Sequence, residues 1–244
     1  MADVDWSKYD AVLFDLDGVL TPTADVHERA WTKMFNEFLA SRHAGDAPFT
    51  AADYHAYVDG RPRFDGVRAF LQSRHIDLPQ GSEDDPPGFG TVGALGNRKN
   101  QVFNELLQTE GIAPYPGSLR LLDELIDAGK GVAVVSSSRN AKSVLSAAGL
   151  LDRFPVIVDG VLAADEHLAG KPAPDTYLAA GRKVGVPKER AVVMEDARLG
   201  VAAGRAGDFG LVVGVNRGAG RDALQASGAD IVVDDLAELA EDGP

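Results

Sequence analysis

Short apolar runs rich in β-branched residues punctuate the chain at positions 11–14, 131–135, 155–158, 191–194, 211–215 and 231–233. They are apolar throughout instead of alternating, as strands covered on both faces are, and each is followed by a stretch of helical periodicity. That combination predicts a parallel sheet layered with helices, an α/β fold. Five of the six runs lie after residue 130. Between Pro22 and Pro114 the pattern is helical only: Val26, Ala30, Met34 and Phe38 recur at near-helical spacing, as do Phe64, Val67, Phe70 and Leu71, and Val102, Phe103, Leu106 and Leu107. One strand, a long helical excursion and then the remaining strands predict a core of residues 1–22 and 113–244, interrupted by a helical domain at 23–112.

Within the helical stretch, residues 80–96 are rich in Gly, Pro and acids, and a loop is expected there. Gly88, Gly90 and Gly93 have the spacing of a dinucleotide fingerprint. No strand precedes them, however, and that motif works only as a strand-to-helix turn placing pyrophosphate on a helix N-terminus. Lys171 follows Gly170, but Pro172 stands where a phosphate-binding loop would carry a hydroxyl.

Charge and cysteine content narrow the function. With 24 Lys and Arg against 37 Asp and Glu, the net charge is −13. No basic cluster offsets it, which excludes a nucleic-acid partner and disfavours an anionic membrane surface. The chain has no cysteine, so disulfides, thiolate metal sites and cysteine nucleophiles are excluded. The acidic N-terminus is unlike a signal peptide, no apolar run approaches membrane-spanning length, and a cytoplasmic location is expected.

The candidate chemistry sits where strands end. Asp15 and Asp17 follow the first strand two residues apart, so they project to the same side of the chain, and Gly18 allows a sharp turn. In an open α/β sheet the carboxyl ends of the strands form the ligand crevice. The second run leads into Ser136, Ser137, Ser138, Arg139 and Asn140, hydroxyls and a cation suited to an anion. The fourth leads into Glu195 and Asp196, then a helix with the small residues Gly200, Ala202, Ala203 and Gly204. Lys171 lies between them in a segment stiffened by Pro172 and Pro174. Asp15, Asp17, Glu195 and Asp196 cannot all stay ionised close together without compensation. Mg²⁺ suits such hard oxygen ligands, and with Lys171 it would create a site for a phosphate dianion.

These segments, in this order and each after a strand, resemble the four motifs of the haloacid dehalogenase (HAD) superfamily of aspartate-based phosphotransferases. The resemblance covers essentially the whole chain and implies a Rossmann-like core with a helical cap. It implies Asp15 as nucleophile, Asp17 as general acid/base, and Ser136 and Lys171 as holders of the transferring phosphoryl group. Mg²⁺ would lie on Asp15, the main-chain carbonyl of Asp17 and Asp196, with Glu195 beside it or ligating. An Asp at 17 argues against a dehalogenase, whose leaving group has no oxygen to protonate.

The stretch from Thr21 through Thr23 and His27 to Trp31 is similar to the opening of the cap in the β-phosphoglucomutase-like subgroup. Gly60, Arg61, Pro62 and Arg63 are similar to its cap loop, with Arg63 placed to contact the phosphate not being transferred. Lys99, Asn100, Ser138, Arg139 and Asn140 also match, Arg139 replacing a lysine. Taken singly, His27 could be a satisfied helix histidine and Lys99 a solvated residue beside Arg98. Together they imply substrate-binding residues and a mutase acting on β-glucose 1-phosphate and glucose 6-phosphate. A phosphatase acting on a sugar phosphate or other small phosphomonoester is the alternative, and a non-catalytic anion-binding domain a third reading. The loop at 80–96 is longer than that subgroup's connection. His43, His55, His75 and His167 show no metal-ligand spacing and are expected at the surface.

Overall fold

The computed structural model describes residues 4–42, 46–58, 61 and 63–240. The chain divides into two compact units, residues 1–23 with 112–244 and residues 24–111. In the first, strands β1 (Ala11–Phe14), β2 (Gly131–Val135), β3 (Val156–Val158), β4 (Ala191–Glu195), β5 (Leu211–Val215) and β6 (Ile231–Val233) form one sheet. Its order is β3-β2-β1-β4-β5-β6 and every pairing is parallel. The fold is therefore the α/β arrangement that the apolar runs predict. β1, β4 and β5 are buried along their whole length, which is why these runs carry no polar alternation.

Chain order runs outward from β1 through β2 to β3, then restarts on the other side of β1 at β4. This reversal leaves a crevice at the carboxyl ends of β1 and β4. Their register is fixed by Phe14 opposite Met194. The Asp15 N–H donates to the Met194 carbonyl at 2.9 Å, so the residues following the two strands emerge side by side.

The second unit is built from α1 (Thr23–Arg42, whose first residue belongs to the other unit), α2 (Ala51–Asp53) continuing into a π-helical turn (Tyr54–Val58), α3 (Arg63–Ser73) and α4 (Val92–Glu110). Its apolar stripes bury Val26, Ala30, Met34, Phe38, Val67, Phe70, Val102 and Phe103. Phe35 lies 4.2 Å from Phe70 and 4.9 Å from Phe49, centroid to centroid, a geometry that adds to the area the rings bury.

The expected loop at 80–96 is shorter than its glycines suggest, because α4 already begins at Val92. Gly93 and Gly96 are helical residues: a Cβ at 93 would stand 1.9 Å from the Ser82 carbonyl oxygen, and one at 96 would stand 2.6 Å from the Phe64 ring. These glycines serve close packing, not turning. Thr91 caps the helix, accepting from Ala94 N–H at 2.9 Å and donating to Asp85. Asn97 donates to the Glu83 and Asp85 carbonyls at 2.8 and 2.7 Å. The acidic loop is thereby fastened to the helix it precedes.

The remaining helices, α5 (Pro116–Asp127), α6 (Ala141–Ala147), α7 (Gly160–Asp165), α8 (Asp175–Val184), α9 (Arg198–Ala206) and α10 (Arg221–Ala226), belong to the sheet unit. Among the described residues, no helix is long and apolar enough to cross a membrane.

Candidate active site

Lys171 organises the crevice. Its ammonium donates to Asp15 Oδ1 at 2.5 Å, to Glu195 Oε1 at 2.5 Å and to the Val135 carbonyl at 3.2 Å. Three N–H groups thus meet three acceptors from the ends of β1, β2 and β4. Asp15 is 7% exposed and Glu195 1%. Glu195 is further held by the Tyr177 hydroxyl at 3.2 Å and by the Ala197 N–H at 2.9 Å. Oxygens of Asp15, Glu195 and Asp196 lie within 4.8 Å of one another.

Burial pushes the Asp15 carboxyl well above the ordinary carboxylate range, and Glu195, Asp17 and Asp196 add to the rise while Lys171 opposes it. Burial, then Glu195 and Asp17, push Asp196 up to about 7. Burial disfavours the Lys171 charge, but Asp15 and Glu195 outweigh it and hold the ammonium well above its usual value. One ammonium cannot compensate the acids gathered around it, and the raised affinities of Asp15 and Asp196 for a proton mark an excess of negative charge that a divalent cation would relieve. Together with all-oxygen donors, that excess fits Mg²⁺.

Asp17 lies on the turn beyond Asp15. Its Oδ1 accepts from the Thr23 hydroxyl, and its Oδ2 is 3.5 Å from the Ser136 hydroxyl. Gly18 adopts φ +80°, and a Cβ there would stand 1.9 Å from Asp196 Oδ2, so the glycine serves both the turn and the acid beside it. Ser136 Oγ accepts from Ser138 N–H at 3.0 Å, and Ser138 Oγ accepts from Asn140 N–H at 3.1 Å. Arg139 is exposed.

In the helical unit, Lys99 is not the solvated residue its neighbour Arg98 suggests. It is 4% exposed. Its ammonium lies 2.6 Å from His27 Nδ1, 4.7 Å from the Phe103 ring centre and 5.3 Å from that of Trp31. The His27 ring stacks on Phe103 at 4.2 Å. Burial, then Lys99, hold His27 well below the usual imidazole range, so it is neutral and Nδ1 accepts. Arg63 opens α3 with its guanidinium 4.6 Å from the Phe64 ring centre. Gly60, Pro62 and His43 lie outside the described residues, as does the side chain of His55. His75 and His167 are exposed, as expected.

Two residues of the crevice carry no sequence signal that singles them out. Tyr177, fully buried, places its ring 5.0 Å below the Lys171 ammonium. Its position in the first turn of α8, just after the proline-stiffened lysine segment, is the one available cue. Gly200 reads as a sheet-packing residue, yet a Cβ there would stand 1.7 Å from Glu195 Oε1. Gly204 does pack on the sheet, against Val193 and Val212.

The arrangement has known counterparts. The haloacid dehalogenase-like hydrolase model matches residues 9–208. A beta-phosphoglucomutase of Mycobacterium bovis is 54% identical over 242 residues, covering 95% of this chain and 92% of the relative. A beta-phosphoglucomutase of Bacillus subtilis is 32% identical over 233 residues, covering 94% and 91%. Among solved structures, a CbbY mutant from Rhodobacter sphaeroides in complex with xylulose-(1,5)bisphosphate superposes with a TM-score of 0.71. That chain is 28% identical, with 94% of this chain and 96% of the other covered. With Asp15, Ser136 and Glu195 at the ends of the adjacent strands β1, β2 and β4, Lys171 reaching them from the segment before α8, and a family match over most of its length, the chain belongs to the haloacid dehalogenase-like hydrolases and is an enzyme of that family.

Proposed function

We propose that the protein is a Mg²⁺-dependent phosphotransferase of the cytoplasm that interconverts β-glucose 1-phosphate and glucose 6-phosphate through an aspartyl-phosphate on Asp15. The observation that carries this reading is the buried Lys171 bridging Asp15 and Glu195 with Asp196 alongside. The 54% identity to a relative named beta-phosphoglucomutase supports the substrate class.

In the first half-reaction an Asp15 carboxylate oxygen attacks one phosphorus of a bound sugar bisphosphate and the bond to the sugar oxygen breaks, leaving a sugar monophosphate. Asp17 delivers the proton that oxygen needs, its carboxyl oriented by Thr23. Lys171 and Ser136 bind the phosphoryl oxygens as charge shifts among them. In the second half-reaction Asp17 takes the proton from the free hydroxyl of the substrate monophosphate, which attacks the phosphoryl group on Asp15, freeing the carboxylate and re-forming the bisphosphate, which rebinds turned around. Asp15, the Asp17 main-chain carbonyl and Asp196, with Glu195 beside them, would hold Mg²⁺, which would supply charge neutralisation for that transfer. Thr23, His27, Arg63, Lys99, Ser138, Arg139 and Asn140 are assigned to substrate recognition, Arg63 and Arg139 to the phosphate not being transferred.

The match to the haloacid dehalogenase-like hydrolase model favours a second reading, hydrolysis of a sugar phosphate. Incubation with Mg²⁺, β-glucose 1-phosphate and a trace of bisphosphate primer separates the two. Glucose 6-phosphate without matching phosphate release supports the mutase, and phosphate release alone supports the phosphatase. Asp15→Asn is expected to abolish either activity, and near-normal turnover in that variant would remove Asp15 as nucleophile.

A further inference from the structure

Arg217, in the loop after β5, belongs to none of the motifs above, yet four groups converge on it. Its Nε donates to the Gly18 carbonyl at 3.3 Å, Nη1 to the Asp234 carbonyl at 3.0 Å and Nη2 to Asp235 Oδ2 at 3.0 Å. Its guanidinium lies 3.9 Å from the centre of the Tyr115 ring, a stacking geometry that a planar, delocalised cation permits and an ammonium does not reproduce.

These contacts fall on three separate pieces of chain. Gly18 is on the segment leaving β1, directly after Asp17. Tyr115 is on the segment that returns to the sheet unit after the helical stretch. Asp234 and Asp235 follow β6, and Asp235 also caps the 3-10 turn Leu236–Leu239. The outgoing and returning segments are joined to each other, Tyr115 N–H donating to the Leu20 carbonyl at 2.9 Å and the Ser118 hydroxyl to the Val19 carbonyl at 2.6 Å. A Cβ at Gly117 would stand 1.7 Å from Asp235 Oδ1, so the returning segment also presses on the acid that Arg217 holds. Gly18 N–H closes the Asp17 turn onto the Thr21 carbonyl at 2.8 Å.

We propose that Arg217 is a positioning residue for phosphoryl transfer: it locks the turn carrying Asp17, and the paired segments at 19–21 and 115–118, to the carboxyl ends of β5 and β6. The inference rests on the proposed function for what Asp17 does, while the clamp itself rests on the contacts alone. Freed of Arg217, the turn keeps its sequence and its Gly18 conformation but loses the anchor on its outer side. Sub-ångström drift of an acid/base costs far more in transfer rate than in folding stability.

Two variants test this. Arg217→Met keeps an unbranched stem beside Tyr115 and removes every donor; Arg217→Lys keeps the charge without the planar fork. Amide hydrogen exchange on the metal-free protein is expected to accelerate about tenfold or more at Gly18, Thr21 and Tyr115 in the Met variant, with strand amides of β1 and β4 unchanged. With Mg²⁺ and p-nitrophenyl phosphate, kcat is expected to fall at least about tenfold while KM and the thermal midpoint hold, and Lys is expected to recover part of the loss. Unchanged exchange and kcat in Arg217→Met would overturn the proposal. So would faster exchange across the whole sheet with a lowered thermal midpoint, the mark of a merely structural residue. Failure of the functional reading is distinct: the wild type would then turn over no phosphomonoester, and the exchange data would still decide the clamp.

Discussion

Glu195 occupies the space that a side chain at position 200 would need, and this fixes how it acts. Its two oxygens are already committed to Lys171, Tyr177 and the Ala197 N–H, which leaves it anchoring the lysine as much as facing a cation. Gly200→Ala puts a Cβ 1.7 Å from Glu195 Oε1, and a carboxylate with 1% exposure cannot swing into water. The variant is expected to lose about 1–3 kcal/mol of stability by denaturant titration, the usual cost of overpacking, together with most of its Mg²⁺-dependent activity. Wild-type stability would show that α9 shifts to make room. The glycine is legible in the sequence as a small residue on a helix facing the sheet. Its specific neighbour is not, because the rotamer of Glu195 is set by a lysine 24 positions away.

At the scale of elements, α1 and α4 are legible from their apolar spacing, whereas the polar pair joining them is not. In the sequence a histidine and a lysine 72 positions apart read singly as a satisfied helix histidine and a solvated lysine, and through the resemblance as two substrate-binding residues; neither reading pairs them. The helices bring them to 2.6 Å among Trp31 and Phe103, where burial of an ammonium is tolerable because a neutral imidazole nitrogen accepts its proton and two ring faces attract it. His27 titrates well below its unfolded value of about 6.5. The unfolded chain therefore binds the proton first as pH falls. Stability is complete above about pH 6.5 and declines below it toward the lowered pKa, by at most about 1.4 kcal/mol per pH unit. Thermal midpoints from pH 7.5 down to pH 5.5 are expected to drop in the wild type and to drop less in His27→Gln, whose carboxamide oxygen still accepts from Lys99 but does not titrate. Parallel curves would remove His27 as the source.

For the whole molecule, the net charge of −13 includes, among the described residues, a buried cluster of acids at the sheet's crevice. Mg²⁺ binding that relieves the excess adds RT ln(1 + [Mg²⁺]/Kd) to stability, about 2.7 kcal/mol at a hundredfold excess over Kd. Thermal denaturation with and without Mg²⁺ is expected to show that gain, and Asp196→Asn is expected to lose most of it; a midpoint indifferent to Mg²⁺ in the wild type would count against the site. The sequence alone determined the strands, the interruption after the first of them and the order of the acidic and basic motifs. These follow from local periodicity, since a strand buried on both faces must be apolar along its length. It did not determine that Lys171 meets Asp15 across 156 positions, that Tyr177 and Gly200 shape Glu195, or that Arg217 reaches the Gly18 carbonyl across 199. Only the tertiary structure decided those, because side chains from distant strand ends become neighbours through the parallel stacking order, which no local pattern encodes.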